Sequence, residues 1–278
     1  MLFETENPVA YHLITGAASG IGFLIAQTLL RRGDHVWAVD LDVQGLSKLQ
    51  SFASRADQLH SGALDVRDAD AWTKLIDEIE HTWPQLDTVM NVAGVLRPEY
   101  VGQTATANIH LQIDVNTKGL IFGTEAAARL MVPRRHGHII NIASIAGISP
   151  VPGCAIYCAS KFAARGYSLS VAQELRAHGV KVTAICPDAV ATPMLGPDNL
   201  RPEAAMIFSG AGPMPPEKVV RAVMRAIDKA PLEIILPGWR AMLAKTASLA
   251  PGLTSSVFGL MIWLGQRRLA RTTDRRPH

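Results

Sequence analysis

The chain has 278 residues, of which 48% are hydrophobic, 18% charged and 6% aromatic. That is a globular composition, and the length suits one large domain that closes its core without disulfides or a metal. Lys and Arg number 27 against 24 Asp and Glu, but residues 267–278 alone hold five Arg and one Asp; subtracting this +4 from the total of +3 leaves about −1 elsewhere. A body-wide nucleic-acid surface is thereby excluded.

From the N-terminus onward, strand-like apolar runs alternate with helical patterns. This is the rhythm of an α/β, doubly wound parallel sheet of about seven strands with helices on both faces. The first ten residues are acidic and lead into the first strand, so no signal peptide is expected. That strand is read at Tyr11–Thr15 and a helix at Gly20–Arg32. Between them, Thr15-Gly16-Ala17-Ala18-Ser19-Gly20-Ile21-Gly22 lets the backbone approach a pyrophosphate at a helix N-terminus. Glycine turns are common; one placed between a strand and a helix is more specific. The second strand, His35–Asp40, ends on an acid eighteen residues after Gly22, near the ~20 expected for a carboxylate on the adenosine ribose. Asp40 would repel a 2′-phosphate, and Ser19, Leu41 and Asp42 offer no cation against it. NAD is therefore expected over NADP; a plain turn residue is the competing reading of Asp40.

Further helices are read at Val43–Arg55, Ala69–Thr82, Ile109–Val132, Ala155–His178 and Pro216–Ala230. The remaining strands are read at Gln58–Asp65, Thr88–Val92, His138–Ala143, Lys181–Cys186 and Glu233–Leu236. Leu96–Ala107 and Asp188–Pro215 are irregular and follow strands, which puts them at the carboxyl edge where such sheets bind ligands. Ser144 closes the fifth strand at that edge, thirteen residues before Tyr157. Tyr157 and Lys161 share a helical face. A free Tyr, with a pKa of ~10, is a poor base at neutrality, and a nearby cation favours its phenolate. By itself Tyr-x-x-x-Lys is an ordinary helix surface; a serine hydroxyl able to hold a substrate oxygen makes the set catalytic. Cys154, Cys158 and Cys186 are an odd, low count, expected to be reduced and structural in a cytoplasmic compartment. No His or Cys cluster completes a metal site around the Cys154/Cys158 pair, so no metal is expected.

In these motifs the sequence resembles the short-chain dehydrogenase/reductase family, from about Tyr11 to Met194 with a weaker echo through Pro237. TGAASGIG matches the family's cofactor turn and Asp65-Val66 its adenine-side pair. Asn91-Val92-Ala93-Gly94 matches its Asn-Asn-Ala-Gly with one change, and Ser144, Tyr157, Lys161 and Asn116 match its catalytic set. The resemblance implies a single Rossmann-like domain over residues 1–250. It implies NAD bound by Gly16, Ser19, Gly20, Ile21, Gly22, Asp40, Leu41, Asp65, Val66, Asn91, Ala93, Gly94, Tyr157, Lys161, Pro187, Val190 and Thr192. Tyr157 would be the general acid/base and Ser144 would orient the reacting oxygen. Lys161 would bind ribose and depress the Tyr157 pKa, while Asn116 would hold a relay water. Asp188 stands where the family has Gly. Either it accepts backbone or solvent hydrogen bonds, or it faces the pocket and disfavours anionic substrates. Family members are usually dimers or tetramers, so a homo-oligomer is expected.

By family position the substrate meets Leu96, Ile145, Pro150, Val151, Cys154, Asp188 and Met194, and a lid spans residues 188–215 with Met206, Ile207 and Phe208. The apolar residues supply no cation for a carboxylate or phosphate. A lipophilic secondary alcohol or ketone, steroid-like or long-chain, is expected, although core or an oligomer face would use the same residues. A 3-oxoacyl-thioester reductase is the alternative enzyme, disfavoured by Asp40. A catalytically silent nucleotide-binding scaffold is the alternative outside enzymes, and such proteins typically lack the Tyr or Lys. Residues 251–278 form an extension. Leu253, Val257, Phe258, Leu260, Met261, Ile262, Trp263 and Leu264 predict a helix, and Arg267, Arg268 and Arg271 follow. Its uncharged apolar run, Val257–Gly265, falls short of the ~20 residues of a membrane span. Packing against protein, at a subunit contact or over the active site, is the common fate of such a helix. Peripheral membrane contact is the other.

Overall fold

A strict alternation of side chains along the strands sets the layers. In the computed structural model, which describes residues 9–196, 199–210, 212–249 and 251–273, seven strands form one parallel sheet. They are β1 (Tyr11–Thr15), β2 (His35–Asp40), β3 (Leu59–Ala63), β4 (Thr88–Asn91), β5 (His138–Ile142), β6 (Lys181–Pro187) and β7 (Glu233–Leu236). Their order is β3-β2-β1-β4-β5-β6-β7, and every pairing is parallel. The chain reverses its direction of travel between β1 and β4, and this switch point opens a crevice beyond the strands' carboxyl ends.

On one face, Ile14, Val36, Ala38, Met90, Ile140 and Ile185 pack on α1 (Gly20–Arg32) and on α7 (Glu217–Lys229), the latter through Val219 and Val223. Their neighbours Leu13, Trp37, Val39, Val89, Ile139 and Val182 point to the other face. There they meet Trp72 and Ile76 of α3 (Ala69–Thr82), Leu130 of α5 (Leu120–Arg134) and Val171 of α6 (Ala155–Arg176). Burial on both faces explains why the strands read as continuous apolar runs.

Departures from the expected elements cluster around the crevice. The third strand is shorter than Gln58–Asp65, and the helix read at Val43–Arg55 is a short α2 (Val43–Ser47) followed by a 3-10 turn, Lys48–Phe52. The middle helix begins earlier, as α4 (Thr106–Ile113). It widens into a π turn at Asp114–Gly119, continues as α5, and carries Pro133 in its last turn. The segment read as irregular at 188–215 contains 3-10 turns at Pro193–Leu195 and Pro202–Phe208. After β7 come α8 (Gly238–Leu249), unforeseen because its buried Ala244 and Ala247 are small and its exposed residues apolar, and α9 (Pro251–Thr273). With apolar residues on both sides, α8 gives no 3.6-residue contrast to read. No described helix is long and apolar enough to cross a membrane.

Candidate active site

The crevice is a cavity of about 680 Å³ running from the glycine turn, past Ser144, Tyr157 and Lys161, to α8 and α9. At the turn, Gly16 has φ +67°, and a Cβ there would sit 2.9 Å from the Cα and N of Ala93. A Cβ at Gly22 would collide with the Gly16 carbonyl oxygen. The turn thus closes onto its own helix and onto β4, leaving a backbone-walled cradle at the α1 N-terminus, the shape and donor set a dinucleotide pyrophosphate needs. The Thr15 hydroxyl accepts the Val92 and Ala93 N–H groups at 3.0 and 3.1 Å, tying the two strand ends together.

Asp40 lies on the cavity wall. Its carboxylate accepts the N–H groups of Ala18 (3.1 Å) and Asp42 (3.1 Å), so it braces the turn as well as facing the crevice. Both Asp65 oxygens are taken by Arg67 at 2.6 to 3.0 Å, and the guanidinium holds the Asp65 carboxyl below the usual carboxylate range. Arg67 also lines this end of the cavity, a cation that inspection of residues 19, 41 and 42 missed. Ser19, Gly20, Ile21, Leu41, Val66, Ala93, Gly94, Pro187, Val190 and Thr192 line it as well. Asn91 does not: it is buried, and its amide donates to Asn141 Oδ1 (2.8 Å) and Thr124 Oγ1 (3.3 Å) in the core. Its assignment to cofactor contact is corrected; motif spacing gives a residue's position but not the direction of its side chain.

Ser144 follows β5 in extended backbone, where its Oγ accepts the Ala146 N–H (3.1 Å) and donates to the Pro187 carbonyl (3.4 Å). Tyr157, in the first turn of α6, is half-buried beside Ser144. Lys161 is 4% exposed; its Nζ donates to the Ile142 carbonyl (2.9 Å) and lies 5.8 Å from the Tyr157 ring centre. Burial pushes the Tyr157 pKa up, with the Ser144 hydroxyl pulling the other way, and pushes Lys161 down to about 8. The expected depression of Tyr157 by Lys161 is thus absent from the chain alone, where desolvation outweighs a cation more than 5 Å from the ring. Asn116 sits in the π turn behind the wall. Its Oδ1 accepts the Val95 N–H (2.8 Å), and its amide donates to the Val95 carbonyl (2.9 Å) and Ser160 Oγ (3.0 Å). A Cβ on Gly94 would lie 3.2 Å from Asn116 Oδ1 and 3.6 Å from Lys161 Nζ, so these polar atoms adjoin the cavity at Gly94.

Leu96, Ile145, Pro150, Val151, Cys154 and Met194 line the far half with Met206 and Ile207; Phe208 does not reach it. Cys154, Cys158 and Cys186 are buried free thiols, and burial raises Cys154 and Cys186 to about 12. Asp188 lines the cavity but is ion-paired with Arg240 of α8. The pocket-facing reading thus holds for its position, while the pairing with a side-chain cation, which the sequence did not show, compensates its charge. Arg240 also lines the cavity, so that half is not free of cations. Leu243, Ala244, Thr246 and Ala247 of α8 and Phe258 and Met261 of α9 complete the cover. α9 crosses the 202–208 turn so closely that a Cβ on Gly265 would collide with the Ala205 carbonyl oxygen. The extension thus packs over the lid. The side chains of Leu253, Val257 and Arg271, and residues 274–278, lie outside the described residues.

A switch-point cavity holding a glycine turn, an acid at the end of β2 and a Ser-Tyr-Lys set defines a nucleotide-dependent oxidoreductase of the doubly wound class. Residues 10–203 match the short chain dehydrogenase family, and the chain belongs to it. It is 35% identical over 179 residues to the NADP-dependent 3-hydroxy acid dehydrogenase YdfG of Escherichia coli K12, covering 64% of this chain and 71% of that protein. It is 30% identical over 202 residues to the cyclopentanol dehydrogenase of a Comamonas species, covering 71% and 80%. A short-chain dehydrogenase from Streptomyces avermitilis superposes with a TM-score of 0.76 at 25% identity, over 96% of this chain and 99% of that one. The chain is therefore an oxidoreductase of alcohol and ketone groups from a family that uses a nicotinamide cofactor.

Proposed function

We propose that the protein interconverts a secondary alcohol and a ketone on a lipophilic substrate, with NAD as cofactor. The observation that carries this reading is one cavity walled by the glycine turn and Asp40 at one end, Ser144, Tyr157 and Lys161 in the middle, and apolar side chains at the other. The nicotinamide, when bound, accepts or supplies the hydride. The chain's own residues manage the oxygen and its proton. Ser144 holds the substrate oxygen, and Tyr157 exchanges a proton with it at the phenol oxygen. Lys161 places a cation 5.8 Å from the ring centre, a charge that favours the phenolate as the proton leaves. Asn116 acts by position, fixing the Val95 backbone and the wall at Gly94.

NAD is favoured by Asp40, whose carboxylate opposes a 2′-phosphate, and by Arg67, whose guanidinium is already engaged by both oxygens of Asp65. The apolar half, with the charge of Arg240 met by Asp188, favours an uncharged lipophilic substrate, and the name of the cyclopentanol relative is compatible with that class. Steady-state NADH formation with steroids, long-chain secondary alcohols and 3-hydroxyacyl thioesters tests the reading. Turnover of the first two with NAD, lost in Tyr157→Phe, is expected. Turnover confined to thioesters, a preference for NADP, or full activity in Tyr157→Phe would each overturn its part.

A further inference from the structure

The last two helices present a surface that neither the core nor the cavity uses up. On α8, Trp239, Met242, Leu243 and Leu249 form a row at helical spacing, 59% to 84% exposed. On α9, Leu260 and Trp263 lie one turn apart, also exposed, and the Arg267 guanidinium stacks 3.8 Å from the Trp263 ring centre. Scattered exposed apolar residues are ordinary; rows of them on adjoining helices are not.

Charge separates the candidates for what covers this surface. Residues 234–273 contain five cations, Arg240, Lys245, Arg267, Arg268 and Arg271, and no carboxylate, whereas residues 1–233 sum to −3. Arg240 is paired with Asp188 and Lys245 reaches Glu233 at 3.5 Å, yet the segment as a whole stays cationic. Two copies of it face to face would repel, while an anionic lipid surface attracts it. Exposed Trp and Leu beside Arg, on helices too short in apolar length to span, are the features of a helix lying in the interface plane.

We propose that α8 and α9 dock on an anionic lipid surface, with Trp239, Met242, Leu249, Leu260 and Trp263 entering the headgroup boundary and Arg267 meeting lipid phosphates. Leu243 in the same row, and Met261 beside Leu260, also line the cavity, so docking sets the cavity cover against the lipid phase. Delivery of substrate through that cover rests on the lipophilic-substrate reading; the docking does not.

The test is flotation of the full chain with phosphatidylcholine vesicles with and without phosphatidylserine. Recovery that requires phosphatidylserine and falls with salt is expected. Met242→Glu with Trp263→Glu should lower partitioning by at least about tenfold. Val101→Glu, at an exposed apolar residue of another segment, should leave it unchanged. Cofactor titration checks that the double variant is folded, and sedimentation velocity reports its oligomeric state. Equal recovery with and without phosphatidylserine, equal recovery of the double variant, or a double variant that alters only self-association would each overturn the proposal. Failure to turn over lipophilic alcohols in detergent solution would strike the substrate reading and leave the docking standing.

Discussion

At the sheet edge, the side chains lining the cavity are held by main chain: Asp40 by the Ala18 and Asp42 amides, Ser144 by the Ala146 amide, Lys161 by the Ile142 carbonyl. In the cover built from residues 193–196 and 199–208, α8 and α9, the cavity is met by Met206, Ile207, Leu243, Phe258 and Met261, which are apolar, and one ion pair, Asp188–Arg240, ties α8 to the end of β6. The first half is built to hold polar atoms at fixed positions, as proton transfer requires. The second is built to exclude water and accept a shape, and apolar packing tolerates substitution far better than a hydrogen-bonded set does.

That contrast is open to attack, and the largest effect is expected at Tyr157. Tyr157→Phe keeps the ring and removes the proton donor, so kcat should fall by about 10²–10⁴-fold while cofactor affinity stays within a few-fold. Rapid-mixing kinetics and cofactor fluorescence separate the two quantities. Lys161 comes next. With its pKa near 8 in the fold and 10.5 in the open chain, the folded state binds fewer protons between those values, so this residue makes stability rise with pH from about 8 towards 10.5. Below pH 8 its buried charge costs about 3 kcal/mol. Lys161→Met should therefore gain most in urea midpoint near pH 7, and the gain should fade by pH 10. Loss of stability in that variant at pH 7 would mean that its contact with Ile142 outweighs burial.

In the cover, Asp188→Asn leaves Arg240 without its carboxylate at side chains still 17% and 19% exposed. A loss of about 1–3 kcal/mol in urea unfolding is expected. A loss confined to KM for long substrates, with stability intact, would instead make the pair a substrate contact. The smallest effect is expected at Met261→Ala, which removes apolar wall. KM for a long-chain alcohol should rise by about three- to tenfold and that for a short one by less. Equal rises for both would erase the distinction between the two halves.

Much of the chemical half was legible in advance. Six of the seven strands were read to within one residue of their observed ends at both termini, and α1 and α3 match residue for residue, because burial on both sheet faces leaves a continuous apolar run and burial on one helical stripe a clear period. Ser144, Tyr157 and Lys161 were legible because fixed spacings from a strand end and along one helix bring them together. Asn91 misled, since its motif position says nothing of its side chain turning into the Asn141–Thr124 network. Arg67 and Arg240 were missed because each reaches the cavity from an element whose placement depends on packing, not on a local pattern.

The amino-acid order by itself determined the alternating parallel sheet, the turn that approaches a nucleotide and the reactive side chains, since each follows from contacts among residues near in sequence or from strand periodicity. Only the tertiary structure decided what closes the cavity. The 3-10 turn at 202–208, α8 and α9 are apolar on more than one side, so their sequences allow several packings, and long-range contacts such as Gly265 on Ala205 and Arg240 on Asp188 select one. The same selection leaves Trp239, Met242, Leu260 and Trp263 facing outward beside a cationic segment, a surface that no local pattern in the sequence distinguishes from core.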